Sequence, residues 1–330
     1  MFTNRTEISF APETPPRLIV VVDTEEEFDW KSEPDRQANK VTSMDHIGRV
    51  QDIFDGYGIR PCYVVDYPVA SQPRGYQPLR EFRDDGRCEI GAQLHPWVNP
   101  PDQEVLSRSN MYPGNLPEML ERQKLENLRD VIADNFGCAP VAYKAGRYGF
   151  GNNTARILDE LGFRIDLSVC PPMDFSTEGG PDYSGFDASP FWFGNKARPI
   201  LEIPCTGAFV GWAGGCSRPL FGLANALESL RGPGILARLR AVDRLMLSPE
   251  GYSSAEHIRL TRDLFARGIR TFTWSFHSPS VVPGNTSYVD TSAELQVFLD
   301  SFYRFFDFFF GELGGEPSSP AMLREQLGDS

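Results

Sequence analysis

Residues 17–30 read RLIVVVDTEEEFDW, an unbroken aliphatic run from Leu18 to Val22 that stops abruptly at Asp23, Glu25, Glu26 and Glu27. An apolar run without alternation belongs to a strand covered on both faces, and such strands occur in parallel sheets flanked by helices. The carboxylates at its end then lie at the carboxyl edge of the sheet, where α/β folds place their active sites. The plain alternative is a solvated acidic turn, since runs such as EEE usually face water.

The remaining chain repeats the strand-then-helix pattern. IRPCYVVDYPVA, CEIGAQL, APVAYKAG, FRIDLSV, ILEIP and IRTFTWSFH read as strands, and RLMLSPEG as a further short one. The 43–58 segment carries Met44, Ile47, Val50, Ile53 and Phe54 at helical spacing, and 116–137 forms the clearest helix, stopped by Gly137. Helical stretches are also predicted at 219–243, at SSAEHIRLTRDLFARG and at 291–314, while 171–200 reads as loop. Seven or eight strands joined by helices require right-handed crossovers and a parallel sheet, either a closed barrel or an open doubly wound sheet. No repeat or linker divides the chain, so 17–314 is expected to be one domain, with a flexible segment at 1–16 and a loose tail at 315–330.

Composition narrows the partners. The chain has 45 acidic against 32 basic residues, a net charge of −13, which disfavours nucleic acid and anionic membrane surfaces. Its six cysteines form no C-x-x-C pair and read as buried thiols. With no span-length apolar stretch and no basic-then-apolar leader, the expected location is cytoplasmic. The oligomeric state stays open, and a homo-oligomer is compatible with the sequence.

The strand ends carry the chemistry. Alternation puts Asp23 and Glu25 on one face of the first strand, and Gln93 and His95 on one face of the third. Gln93 offers either a weak oxygen ligand for a metal or a hydrogen bond to substrate. Lys144 and Arg147 follow the fourth strand, in a position to keep Asp23 ionised, or else they face outward. His277 ends the last strand, whereas His46 and His257 fall within helices and read as structural. Trp30, Trp97, Tyr148 and Trp212 are aromatic candidates for a sugar face or for rim packing.

These strings, DTEEEFDW, EIGAQLHPWVNPP, AGRYGFG and SFHSPSVVPGNTSYV, resemble in the same order those of the polysaccharide deacetylase superfamily, and most of all its WalW-type subgroup. The resemblance covers roughly residues 17–310. It implies a deformed parallel (β/α) barrel of about seven strands, a divalent metal, zinc by preference, and removal of N-acetyl groups from a sugar or polysaccharide precursor. It also implies Asp23 as base, His277 as acid, Glu25 (or Glu26) with His95 and Gln93 as metal ligands, and Arg147 as a partner of Asp23. Trp97, Lys144, Tyr148 and Trp30 would face substrate, and a backbone N–H near Tyr148 would meet the oxyanion. Gln93 and Trp97 stand where the family has its two histidines, and Lys144 where it has arginine. Two other functions remain open on the sequence: hydrolysis of a different non-peptide C–N bond, and a sugar-binding scaffold without the metal.

Overall fold

The computed structural model describes residues 1–29, 32–211 and 243–328. Trp30, Trp212, Cys216 and nearly all of the helical stretch expected at 219–243 lie outside the described residues. Among those described, the strands are β1 (Thr6–Glu7), β2 (Arg17–Thr24), β3 (Cys62–Val65), β4 (Glu89–Leu94), β5 (Ala142–Ala145) and β6 (Ile165–Asp166). They continue with β7 (Phe191–Phe193), β8 (Ile200–Glu202), β9 (Gly207–Val210), β10 (Asp243–Met246), β11 (Thr271–His277) and β12 (Glu316–Ser318). The helices are α1 (Gly48–Gly56), α2 (Tyr67–Ser71), α3 (Pro73–Asp84), α4 (Glu118–Phe136), α5 (Thr154–Leu161), α6 (Ser254–Ala266), α7 (Ser292–Phe306) and α8 (Pro320–Leu327).

Every neighbouring pair along β11–β2–β3–β4–β5–β6–β8 is parallel. These seven strands make a mixed α/β, single-domain fold with a mostly parallel sheet. Between β8 and β11 the ladder gives way to a seam. There Thr273 N donates to Thr206 Oγ1 at 2.7 Å, Thr273 Oγ1 donates to the Pro204 carbonyl at 2.9 Å, and Ser275 N donates to the Leu247 carbonyl at 3.3 Å. Side chains thus replace part of a strand pairing, which is the local meaning of a deformed barrel.

Strand alternation sorts the two faces. Leu18, Val20 and Val22 pack outward in a core shared with the helices. Ile19 and Val21 pack inward with Cys62, Val64, Ala142, Ile165 and Leu201. The inner face is crowded: a Cβ at Gly91 would sit 2.9 Å from Val64 Cγ1 and 3.1 Å from the Ala142 carbonyl. Continuing each inner row by two residues reaches Asp23 on β2, Gln93 on β4, Lys144 on β5 and His277 on β11. Register reinforces this, because His277 is the partner of Asp23 and Lys144 that of Gln93.

The opposite end of the barrel corrects two expectations. The described part of the expected loose tail at 315–330, residues 315–328, is ordered structure, because β12 pairs with Arg17–Ile19 of β2 where β3, which begins pairing at Val21, leaves that edge open. Leu323 of α8 is fully buried in the inner cluster, with Leu327 packed against it, so α8 closes the bottom of the barrel. Likewise 1–16 is tied down: β1 pairs with β7 inside the stretch expected to be loop, and Phe2 packs on Phe150, Phe186, Phe191 and Phe193. No described helix is long and apolar enough to cross a membrane.

Candidate active site

The inner rows end in a cleft of about 360 Å3 lined by Asp23, Glu25, Gln93, His95, Lys144 and His277, with aromatic walls from Phe28, Trp97, Tyr112, Tyr148, Phe175 and Tyr288. A larger cavity, about 470 Å3 between Phe10, Phe186 and Arg267, holds no histidine.

Three charged groups organise the cleft. Lys144 Nζ donates to both oxygens of Asp23, at 2.6 and 2.8 Å, and both residues are buried. Burial opposes the Lys144 charge, but the Asp23 carboxylate outweighs it and raises the lysine pKa above its ordinary value. Arg147, expected to pair with Asp23, does not: its guanidinium donates to Glu178 at 2.5 Å and stacks 5.0 Å over the Tyr112 ring. The reason is local. Arg147 and Tyr148 both take left-handed backbone conformations, φ 52 and 60, which turns the arginine away from the strand end at a strain of about 1–3 kcal/mol each.

The second group is His277 with Glu250. Nδ1–H donates to Glu250 Oε2 at 2.7 Å and the His277 amide to Oε1 at 3.2 Å, while Nε2 lies 3.6 Å from Asp23 Oδ2. Burial works against the imidazolium, but Glu250, Glu25 and Asp23 overcome it and lift the pKa to about 10. Ser280 Oγ donates to Glu250 as well. Sequence reasoning missed Glu250, although it follows the apolar LML of β10 at another strand end.

The third group surrounds His95. Its Nδ1–H donates to Glu26 Oε2 at 2.8 Å, and Trp97 Nε1 donates to Glu26 Oε1 at 2.8 Å. The Trp97 ring stacks on the imidazole at 4.3 Å, so this tryptophan supports His95 from inside the wall. Asp66 accepts the Glu26 amide at 2.8 Å and the Val69 amide at 2.8 Å. Burial pushes both carboxyls up, Glu26 to about 7 and Asp66 well above its ordinary range. With Nδ1 so engaged, Nε2 faces the cleft, 3.5 Å from Glu25 Oε2. Gly146 permits the approach of β5 to this ring, since a Cβ there would lie 2.3 Å from the Leu94 carbonyl and 2.6 Å from His95 Cδ2.

Two positions beside His95 can be tested for a cation. Glu26, Asp66 and His95 bring one ligand atom each within 4.8 Å, a buried group able to hold a metal, yet protein N–H donors already occupy all four of its carboxylate oxygens. On the cleft side the situation is reversed. Glu25 Oε1 and Gln93 Oε1 are buried without any hydrogen-bond partner among the described residues, which is costly unless something else meets them. Burial raises the Glu25 pKa to about 7, with His277 and His95 countering and Asp23 adding to the rise. One carboxylate, one amide oxygen and one imidazole nitrogen on the wall of one cleft are donors of the kinds that divalent ions take.

No family model matches the sequence, and no curated protein matches it either. Solved structures do. A Mycobacterium smegmatis protein assigned as a polysaccharide deacetylase is 14% identical, covering 96% of this chain and 97% of its own, at a TM-score of 0.49. An allantoinase is 15% identical over 88% of this chain and 83% of its own, at 0.49. A peptidoglycan N-acetylglucosamine deacetylase is 9% identical over 94% and 90%, at 0.46.

Proposed function

We propose that the protein is a metal-dependent hydrolase that removes N-acetyl groups from a sugar or polysaccharide precursor. The observation that carries this reading is the juxtaposition, in one cleft, of a lysine-held Asp23, a carboxylate-backed His277 and two buried oxygens lacking hydrogen bonds beside His95 Nε2. Glu25, His95 and Gln93 would hold the ion, which would polarise an amide carbonyl and acidify a water. Zinc is the ion to test first, with manganese and cobalt, because one nitrogen with two oxygens suits several divalent metals.

The chain's own groups divide the proton work. Asp23, held in place by Lys144, accepts the proton of the attacking water. His277 is charged at neutral pH and donates from Nε2 to the departing amine nitrogen, so that the C–N bond breaks without expelling an amide anion. Glu250 stabilises the imidazolium and fixes the ring. Tyr148 closes one wall, its ring stacked on Phe175 at 5.5 Å, and we assign the nearby backbone N–H to the oxyanion. Arg147 stands at the rim, where contact with a substrate hydroxyl or carbonyl replaces the role expected next to Asp23.

The motif strings favour the WalW-type subgroup of the polysaccharide deacetylases. A cytoplasmic location suits the five described cysteines, all free thiols. Acetate release from N-acetylated sugars, measured with and without chelator, tests the reading. Asp23→Asn should lower kcat by about 100-fold or more in protein that circular dichroism shows to be folded at the assay temperature. Acetate release that survives both the chelator and this substitution would remove the proposed mechanism. A metal-free protein inert toward every acetylated sugar would instead support a scaffold.

A further inference from the structure

A second depression of about 570 Å3 lies beside the cleft, between the start of α6 and the outer face of α7. Gly251, Tyr252, Ser253, Tyr288, Val297 and Phe298 line it. Tyr288 belongs to the walls of both spaces, and 42% of it is exposed. It is therefore the partition between the two spaces.

The partition is tied to the proposed acid through hydrogen bonds. Gly284 N donates to the Val289 carbonyl at 2.9 Å, which closes the turn that carries Tyr288. Thr286 Oγ1 lies 2.9 Å from Ser280 Oγ, and Ser280 in turn donates to Glu250, the carboxylate holding His277. Gly251, the residue after Glu250, has φ +83, and a Cβ on it would lie 3.6 Å from Tyr288 Cε1, so the ring edge rests beside this backbone. One chain of contacts fixes the acid and the partition together.

The lining states what would fit. Tyr252, Tyr288, Val297 and Phe298 give it an apolar lining, and Val297 is 69% exposed. Arg304 is its one basic residue, against Glu294 and Asp300, so phosphate or uronate chains are not favoured. Apolar floors with hydroxyl rims suit the less polar face of an uncharged pyranose.

We propose that this groove is a subsite for a neighbouring uncharged sugar residue, and that the substrate is an oligosaccharide running across Tyr288. The proposal rests on the N-acetyl-sugar reading of the cleft. Isothermal titration of the full chain with N-acetylglucosamine and with its β-1,4-linked tetramer tests it. The tetramer should bind about tenfold tighter or more. Val297→Glu, on an exposed position, and Tyr252→Ala should each bring the tetramer to within about twofold of the monomer in wild-type protein, with melting temperatures confirming that both variants fold. Equal affinities in the wild type, no binding of either sugar, or a ratio unchanged in both variants would overturn the subsite. The two readings fail differently. Tetramer binding without acetate release sinks the hydrolase and leaves the groove, whereas release from both sugars at equal kcat/KM sinks the groove and leaves the hydrolase.

Discussion

Glu26 does not line the cleft itself but holds two residues that do, His95 and Trp97. Its two oxygens are divided between the Trp97 indole N–H and the His95 Nδ1–H, both of which are donors. An amide in its place has a single oxygen and cannot satisfy the two. If the oxygen of Glu26→Gln stays on Trp97, its NH2 group faces Nδ1, which must then accept, and the ring proton moves to Nε2. That removes the lone pair from the cleft. Carboxylate partners of metal-bound imidazoles are worth about 10–100-fold in affinity or activity, and the same loss is expected here for zinc binding by titration. Nitrogen NMR of His95 supplies a readout independent of any metal: the substitution should exchange the protonated and unprotonated ring nitrogens. Unchanged nitrogen shifts would mean that Glu26 does not set the tautomer.

At the scale of elements, the C-terminal β12 and α8 stabilise a barrel whose chemistry lies at the other end. Ser319 caps α8 and also donates to Glu89 at the start of β4, and Ala321 N donates to the same carboxylate at 3.2 Å. Leu323 has no exposed surface. Leu323→Ala should cost about 2–5 kcal/mol of unfolding free energy while leaving the cleft residues in place, read as a lower urea midpoint with folded-state activity retained. A midpoint within error of the wild type would return α8 to the status of a tail. The same element shows where a sequence is hard to read. The inner rows were legible because LIVVVD is an unbroken apolar run, FTWSFH alternates, and both end in polar residues, which places Asp23 and His277 at strand ends without any contact information. Leu323 and Leu327 are an i, i+4 pair on an eight-residue helix, too short for periodicity to stand out, and their partners lie from about 120 to about 300 positions earlier in the chain. Glu250 and Asp66 also end short strands, but the partners that make them matter, His277 and the Glu26 amide, are set only by how the strands are stacked. The turn of Arg147 away from Asp23 depends on a left-handed backbone that no spacing announces.

The whole molecule buries ionisable groups whose pH responses oppose one another. His257 on α6 is fully buried, with Nε2–H donating to the Ser248 carbonyl at 2.7 Å and the ring set edge-on to Trp274 at 4.9 Å. Nδ1 meets no partner among the described residues, so a second proton would be buried without an acceptor. Burial accordingly drives the pKa from 6.5 down to about 4, against smaller rises from Ser248 and Glu256. Between these values the unfolded chain binds more protons than the folded one, so this contribution to stability is complete above pH 6.5 and drains away as pH falls toward 4. Glu121 runs the other way. Burial lifts it from 4.5 to about 7, with the Thr154 hydroxyl countering, so its contribution is complete below pH 4.5 and is lost as pH rises through 7. Urea unfolding of wild type, His257→Gln and Glu121→Gln at pH 4.8 and 8.0 separates the two. On going from pH 8.0 to 4.8, wild type should lose about 2 kcal/mol relative to His257→Gln and gain a comparable amount relative to Glu121→Gln. Parallel pH responses in all three proteins would mean that neither side chain changes its protonation on folding, and the pH dependence would have to come from the cleft.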